Sequence, residues 1–372
     1  YSKVAIVGYN SNLLNIFTKK IMKTVFLESH NIKNRAGGLG TFNYELIKGL
    51  SNLDLSNFNI TLNSNDIKIL KDEFNDTFQY HKYNSLQRHS LFRIRKRFDV
   101  WHSLNQNTKI EPFYKPKKYI LTIHDVNFVE EGSSNMNDKK NKLFIEKLNR
   151  ADCITYISNF AKEQTHQYFK VPNVSEHIIY NGNPVKEVIN NKIIEPNIIS
   201  KRPFFFSIGD FIERKNFHSL IEMMRIMPEF DLIISGNNNK SYGDHIKNLI
   251  DKYKLKNVIL TGKISDNDKN FYLKNCEAFL FPSIREGFGL PPIEAMAYGK
   301  PVFLSNKTSL PEIGGDAAYY WTNFDAEYMK MMLLTNLDAF KTEGDKAVEK
   351  VKKRATFFDW KKAADEYLNL YK

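Results

Sequence analysis

Cysteine is scarce in this chain, with two among 372 residues, Cys153 and Cys276. That excludes a disulfide framework, and no paired-Cys or HExxH motif offers a metal site. Each cysteine sits in an apolar run, as reduced, buried thiols do. Long apolar runs are also missing. The stretch from Lys3 to Ile21 is broken by Asn10, Asn12, Asn15, Lys19 and Lys20, and no window reaches the roughly 18–20 apolar residues of a spanning helix. No membrane span and no secretory signal is expected, and the expected compartment is the cytoplasm. No repeat of solenoid length and no low-complexity tract is found. Negative charge is in deficit, giving a net charge of +12. Residues 1–200 carry 28 Lys/Arg against 19 Asp/Glu, whereas residues 201–372 carry 26 against 23. The first half therefore faces an anionic partner: nucleic acid, an anionic membrane surface or a phosphorylated substrate.

What is present suffices for more than one core: 42% of residues are hydrophobic and 13% aromatic, in a length that suits two or three domains. Short, continuous apolar runs at 24–29, 119–125, 153–158, 177–182, 204–210, 231–236, 258–262, 278–283 and 301–306 read as parallel strands covered on both faces. Helical periodicity lies between them, as in Phe42, Leu46 and Leu50, or Phe217, Leu220, Ile221 and Met224. This alternation predicts an α/β chain with doubly wound sheets. The pattern weakens between Asn183 and Pro203, where a linker is expected to separate domains 22–195 and 200–356, with a ligand cleft between them. Residues 1–21 precede a normal first strand at MKTVFLESH and contain a strand-like run, KVAIVG. They are either an added element or a segment foreign to the fold.

Three regions carry chemistry. Gly37, Gly38 and Gly40 precede a helix that starts near Thr41, where glycines let a backbone approach a ligand and free N–H groups favour phosphate. The spacing is neither a dinucleotide fingerprint nor a P-loop. Arg214 and Lys215 open a helix directly after a strand. Cations there oppose the helix dipole, so a bound anion is the reason to place them. In AFLFPSIREGFGLPPIEAMAYGKPVFLSN, a strand enters a glycine loop, Pro291 and Pro292 begin a helix, and Gly299 stops it. Glu286 and Glu294, eight positions apart, can both face the carboxyl edge of the sheet. By contrast, Asp266-Asn-Asp268 reads as a helix cap opened by Ser265, not a metal motif. Finally, residues 79–101 interleave Arg88, Arg93, Arg95, Lys96 and Arg97 with Leu91, Phe92, Ile94 and Phe98. They read either as a basic amphipathic surface for anionic lipid or as a solvated helix covering the core.

Glu286-Gly-Phe-Gly-Leu-Pro-Pro-Ile-Glu294, followed by AMAYGKPV and SLPEIGGDAA, resembles the Glu-x7-Glu signature of the retaining GT-B glycosyltransferases of family 4. The resemblance extends to Gly209 with Arg214-Lys215-Asn216, to ITYISNFAK, IIYNG, the GGLG loop and the His124-Asp125 pair, and to the closing FFDWKKAADEYLNLY. It covers about residue 22 onward. It implies two Rossmann-like domains facing across a cleft, with residues 357–372 crossing back onto the first. It further implies that Arg214 and Lys215, beside Gly209, hold the donor diphosphate, that Gly38 and Gly40 approach the phosphates or the acceptor, and that Glu294 binds the ribose. Glu286 would bind the transferred sugar, His124 would contact that sugar near the breaking bond, and the backbone of Phe288, Gly289 and Leu290 would hold sugar and phosphate. Lys263, in the loop after Gly262, is where base contacts are expected.

The expected activity is therefore retaining, metal-independent transfer of a hexose from a nucleotide sugar to a glycan or lipid-linked acceptor, with no cofactor. GDP-mannose and the synthesis of a surface polysaccharide, O-antigen or lipopolysaccharide are the first choices. Peripheral membrane attachment through residues 79–101 goes with that reading. A sugar-nucleotide epimerase on the same fold is the alternative enzyme. A basic nucleic-acid-binding protein, suggested by the net charge of +12 and the 19 tyrosines, is the non-enzymatic alternative; it would place base-stacking aromatics beside Lys/Arg on one face, and none of the usual nucleic-acid motifs is seen.

Overall fold

The computed structural model describes residues 22–35, 37–185 and 193–372. The strand-like run at 3–8 and part of the expected linker lie outside the described residues. The first half builds one sheet from β1 (Lys23–Glu28), β2 (Phe58–Ser64), β3 (Gln79–Lys82), β4 (Val100–Ser103), β5 (Lys118–Ile123), β6 (Cys153–Tyr156) and β7 (Ser175–Ile178). The second builds another from β8 (Phe204–Ile208), β9 (Asp231–Ser235), β10 (Val258–Gly262), β11 (Ala278–Phe281), β12 (Val302–Ser305) and β13 (Tyr319–Trp321). Their orders are β3-β2-β1-β4-β5-β6-β7 and β10-β9-β8-β11-β12-β13. Every pairing is parallel. Helices therefore cover both faces, and the order reverses between β1 and β4 and between β8 and β11.

The apolar periodicity read in sequence places its residues correctly: Phe42, Leu46 and Leu50 are buried from the helix Gly38–Ser51, and Phe217, Leu220, Ile221 and Met224 from Phe217–Met224. β2, β3, β4 and β13 were not expected. β2 is diluted by Asn59, Asn63 and Ser64, β3 and β13 are edge strands, and β4 contains only Val-Trp-His-Ser.

After the helix Asp345–Thr356 the chain returns to the first domain. The N–H of Asn183 donates to the carbonyl of Phe358 (3.1 Å). A side chain at Gly182 would come within 2.1 Å of the Trp360 nitrogen, so glycine is required where the two segments cross. The helix Trp360–Tyr371 then lies along Gly38–Ser51, with Gly49 pressed against Ala364 and the Trp360 carbonyl. Tyr371 hydroxyl and His102 Nδ1 are 2.7 Å apart, tying this helix to β4.

Residues 79–101 correct the amphipathic reading. They form β3 and two short turns, Ser85–Arg88 and Ser90–Phe92. Ile94 and Phe98 enter the core, and only Leu91 and Phe92 of the named apolar residues are exposed.

Candidate functional site

The carboxyl edges of the two sheets face one another. Ser158, following β6, donates through Oγ to the Gly287 carbonyl beyond β11 (2.7 Å). A side chain at Gly287 would come within 2.3 Å of the His124 carbonyl, which follows β5. Glu312, beyond β12, accepts from the backbone N–H groups of Asn159 (2.7 Å) and Phe160 (3.0 Å) and from Tyr180 hydroxyl (2.7 Å). Arg285 pairs with Glu130, and Arg214 Nε lies 3.5 Å from Glu131.

At the order reversal of the second sheet, the turn Glu213–Lys215 follows β8 and the loop 282–289 follows β11. Asn216 takes a left-handed conformation (φ 55°) between that turn and the helix Phe217–Met224. This backbone reversal sends Arg214 and Lys215 toward the second loop. Lys215 Nζ lies 2.5 Å from Glu286 Oε1, and Arg214 Nη1 donates to Glu286 Oε2 (3.3 Å) and to the Arg285 carbonyl (2.7 Å). Lys215 is buried, with its Nζ 4.8 Å from the centre of the Phe281 ring. Burial alone would raise the pKa of Glu286; Lys215 and Arg214 outweigh it and hold the carboxyl below its ordinary value. Glu286 is therefore an ionised hydrogen-bond acceptor at neutral pH.

Gly209 belongs to the same corner. A Cβ there would lie 3.2 Å from Lys215 Cε, and a Cβ on Gly236 (φ 145°) would overlap the Gly209 carbonyl at 1.8 Å. Glu294 is not part of this cluster. It is buried in the helix Leu290–Ala297, 2.9 Å from Lys269 Nζ. Gly289 (φ 120°) caps that helix, while Phe288 turns its ring inward between Tyr180 and Phe358. Only the backbone of Phe288 is available to a ligand.

His124 is buried, 2.8 Å from the Leu104 carbonyl through Nε2, and burial lowers its pKa to about 4. It is a neutral hydrogen-bonding group. Asp125 is raised by burial, with Arg214 opposing and Glu131 and Glu286 adding to the rise. The helix expected to start near Thr41 begins at Gly38, with Gly37 as its cap, so Gly38 and Gly40 lie in its first turn, where they differ. A Cβ on Gly38 meets nothing within 4 Å, but one on Gly40 would come within 1.8 Å of the Asn34 carbonyl. The chain's own turn thus accounts for Gly40. Lys263 is exposed beyond edge strand β10, two strands and about 10 Å from β8. Asp266-Asn-Asp268 forms the expected capping box, with Ser265 Oγ accepting from the Asp268 N–H (3.1 Å).

Sequence reading missed Glu130, Glu131 and Arg285 at the cleft, and Lys269 beside Glu294. Glu130 and Glu131 carry no local signal, because their cationic partners Arg285 and Arg214 lie on the other domain. Lys269 stands 25 positions from Glu294 and meets it only through packing of adjacent helices.

Residues 188–327 match the family described as Glycosyl transferases group 1. O-antigen chain mannosyltransferase B of Escherichia coli is 25% identical over 279 residues, covering 70% of this chain and 72% of that protein. RfbU, an O-antigen chain mannosyltransferase of Salmonella typhimurium, is 25% identical over 232 residues, 62% of this chain and 59% of its own length. Among solved structures, sucrose-phosphate synthase from Thermosynechococcus elongatus superimposes with TM-score 0.70 at 18% identity, over 94% of this chain and 98% of that one. Anabaena HepE in complex with UDP and glucose does so with TM-score 0.70 at 15% identity, over 94% and 99%. With the two parallel sheets, these matches show a GT-B fold in which residues 188–327 match a group 1 glycosyltransferase domain.

Proposed function

We propose that this protein is a retaining, metal-independent hexosyltransferase that moves a sugar from a nucleotide-sugar donor to a growing glycan or lipid-linked acceptor. Its setting is the synthesis of a surface polysaccharide, at the cytoplasmic face of a membrane. The observation that carries the reading is the Arg214–Lys215–Glu286 cluster at the order reversal of the second sheet, where open α/β sheets bind ligands. Breaking an anomeric C–O bond builds positive charge on the sugar and negative charge on the departing diphosphate. Arg214 and Lys215 neutralise the second in a partly desolvated corner, doing what a divalent metal does elsewhere. Ionised Glu286 accepts hydroxyls of the transferred sugar, and Glu294, already oriented by Lys269, accepts those of the ribose. The backbone after Gly287 and the open helix start at Gly38 approach sugar and phosphate. His124 offers a neutral polar contact, consistent with departing oxygen and incoming hydroxyl meeting on one face without a protein nucleophile. Mannose and GDP are the first choice because both O-antigen relatives are named mannosyltransferases.

Calorimetry with GDP, UDP, ADP and their sugar conjugates, with and without Mg²⁺, tests this. One nucleoside diphosphate should bind, unaffected by chelator, and Lys215→Ala should lower transfer by about 10²–10³-fold in a folded protein. Binding of none of the three, or native rates in Lys215→Ala, would overturn the assignment.

A further inference from the structure

The first domain holds a cavity of about 470 Å³, formed by none of the residues assigned to the donor. Six cations line it: Arg88, Arg93, Lys109, Lys139, Lys147 and Arg150. At its back, buried Glu111 accepts from Lys147 (2.7 Å), from Arg150 and from Tyr119 hydroxyl (3.0 Å), so one carboxylate faces two cations. Among the described residues, Arg88, Arg93, Lys109 and Lys139 have no carboxylate in ion-pair reach, and Glu146 is the other acid on the wall. A single carboxylate ligand would leave most of this charge unanswered. A phosphate or diphosphate matches it in charge and in the fork geometry of the arginines.

Two further features fix the context. The loop after β4 holds His124 through the Leu104 carbonyl and through Gln106 Oε1, which accepts the His124 N–H (3.1 Å). The same loop then delivers Thr108, Lys109 and Glu111 to the cavity wall. The cavity is thereby tied through one loop to His124, the residue assigned to the sugar. At its rim, between Ser90 and Arg93, Leu91 is 77% exposed and Phe92 54% exposed. Phe113 and Tyr114 stand exposed near them in the chain's fold, under Arg95 (5.0 Å) and Arg97 (4.1 Å). Large apolar side chains beside cations suit a ligand that is anionic at one end and hydrocarbon at the other.

We propose that this cavity binds the phosphate or diphosphate group of the acceptor, with Leu91 and Phe92 meeting a hydrocarbon chain attached to it. The proposal rests on the transferase reading for the word acceptor, but its test does not. Farnesyl diphosphate and inorganic pyrophosphate are titrated into Arg214→Ala/Lys215→Ala, which removes the donor diphosphate site, and into the same background with Arg93→Ala/Lys109→Ala. Lys109 is exposed and Arg93 half-buried, and an unchanged melting midpoint confirms the fold. If the background variant does not fold, the titrations are run on native protein saturated with its preferred nucleoside diphosphate.

Both probes should bind about tenfold or more weakly once Arg93 and Lys109 are removed. Farnesyl diphosphate should also bind about tenfold tighter than pyrophosphate, an advantage lost in Leu91→Ser/Phe92→Ser. Equal affinities for the two probes, both dependent on Arg93 and Lys109, would keep the phosphate site and overturn its lipid source in favour of a soluble phosphorylated acceptor. No binding, or binding indifferent to the cavity substitutions, would overturn the site itself. Failure of the transferase reading looks different: native protein would bind no nucleoside diphosphate.

Discussion

His102 and His124 are held as neutral imidazoles inside the first domain. Burial depresses His102 to about 3, with the neighbouring His124 adding to the effect, and His124 to about 4, against the Leu104 carbonyl. Both folded values lie below the roughly 6.5 of an unfolded histidine. Their contribution to stability is therefore complete above pH 6.5 and is lost as pH falls toward the folded values, because only the unfolded chain takes up the protons. The urea midpoint should fall measurably between pH 6.5 and 5, above the range in which ordinary carboxylates titrate, and His102→Gln should flatten that fall. A midpoint constant across this window would contradict the neutral burial. The cations Arg214 and Lys215 were legible in sequence because they break a local rule: cations do not belong at a helix start without a partner. Glu130 and Glu131 break no such rule. Acids in a first turn are ordinary dipole chemistry, and their bonds to Arg285 and Arg214 exist only once two domains have docked.

At the scale of elements, Glu312 acts as an N-terminal cap supplied from the other domain. The helix Asn159–Tyr168 has its own cap in Ser158, whose Oγ accepts from the Ala161 N–H (3.1 Å). Two of its remaining free N–H groups are taken by Glu312, a carboxylate at the positive end of the helix dipole. Closing the cleft and completing the helix are thus one event. Glu312→Ala should lower kcat/KM by about tenfold, matching the loss of a charge-assisted contact. It should leave nucleotide affinity unchanged and enlarge the radius of gyration in solution scattering. Unchanged turnover together with an unchanged radius would show that the contact does not govern closure. The βαβ alternation was readable because doubly covered strands such as Phe204–Ile208 are continuous apolar runs. β3 was not readable, since an edge strand of Gln-Tyr-His-Lys is specified by the neighbour it pairs with.

At the scale of the molecule, the first domain is assembled from two distant stretches of chain. The helix Trp360–Tyr371 buries Trp360, Ala363, Ala364, Tyr367, Leu368 and Tyr371. Phe42 meets both Trp360 and Tyr367 edge-on, with ring centres 5.7 and 6.1 Å apart. At about 1.5–3 kcal/mol for each large side chain, this face contributes as much as the roughly 5–15 kcal/mol that separates a folded domain from an unfolded one. Removing residues 357–372 should therefore leave the first domain open to proteolysis within residues 38–51 while the second sheet stays protected, as hydrogen exchange would show. A truncated protein with native melting and full transfer would refute this.

The crossing at Gly182 and Trp360 also sets an order of events during synthesis. The helix Gly38–Ser51 leaves the ribosome some three hundred residues before the segment that covers its outer face. Until then Gly49 and the outer side of that helix lack the Trp360 and Ala364 that cover them. The second domain, whose strands and helices are contiguous in the chain, can close its core first. Nascent chains of this protein therefore pass through an interval in which one half is finished and the other exposes a hydrophobic strip, and it is in that interval that a chaperone has something to hold.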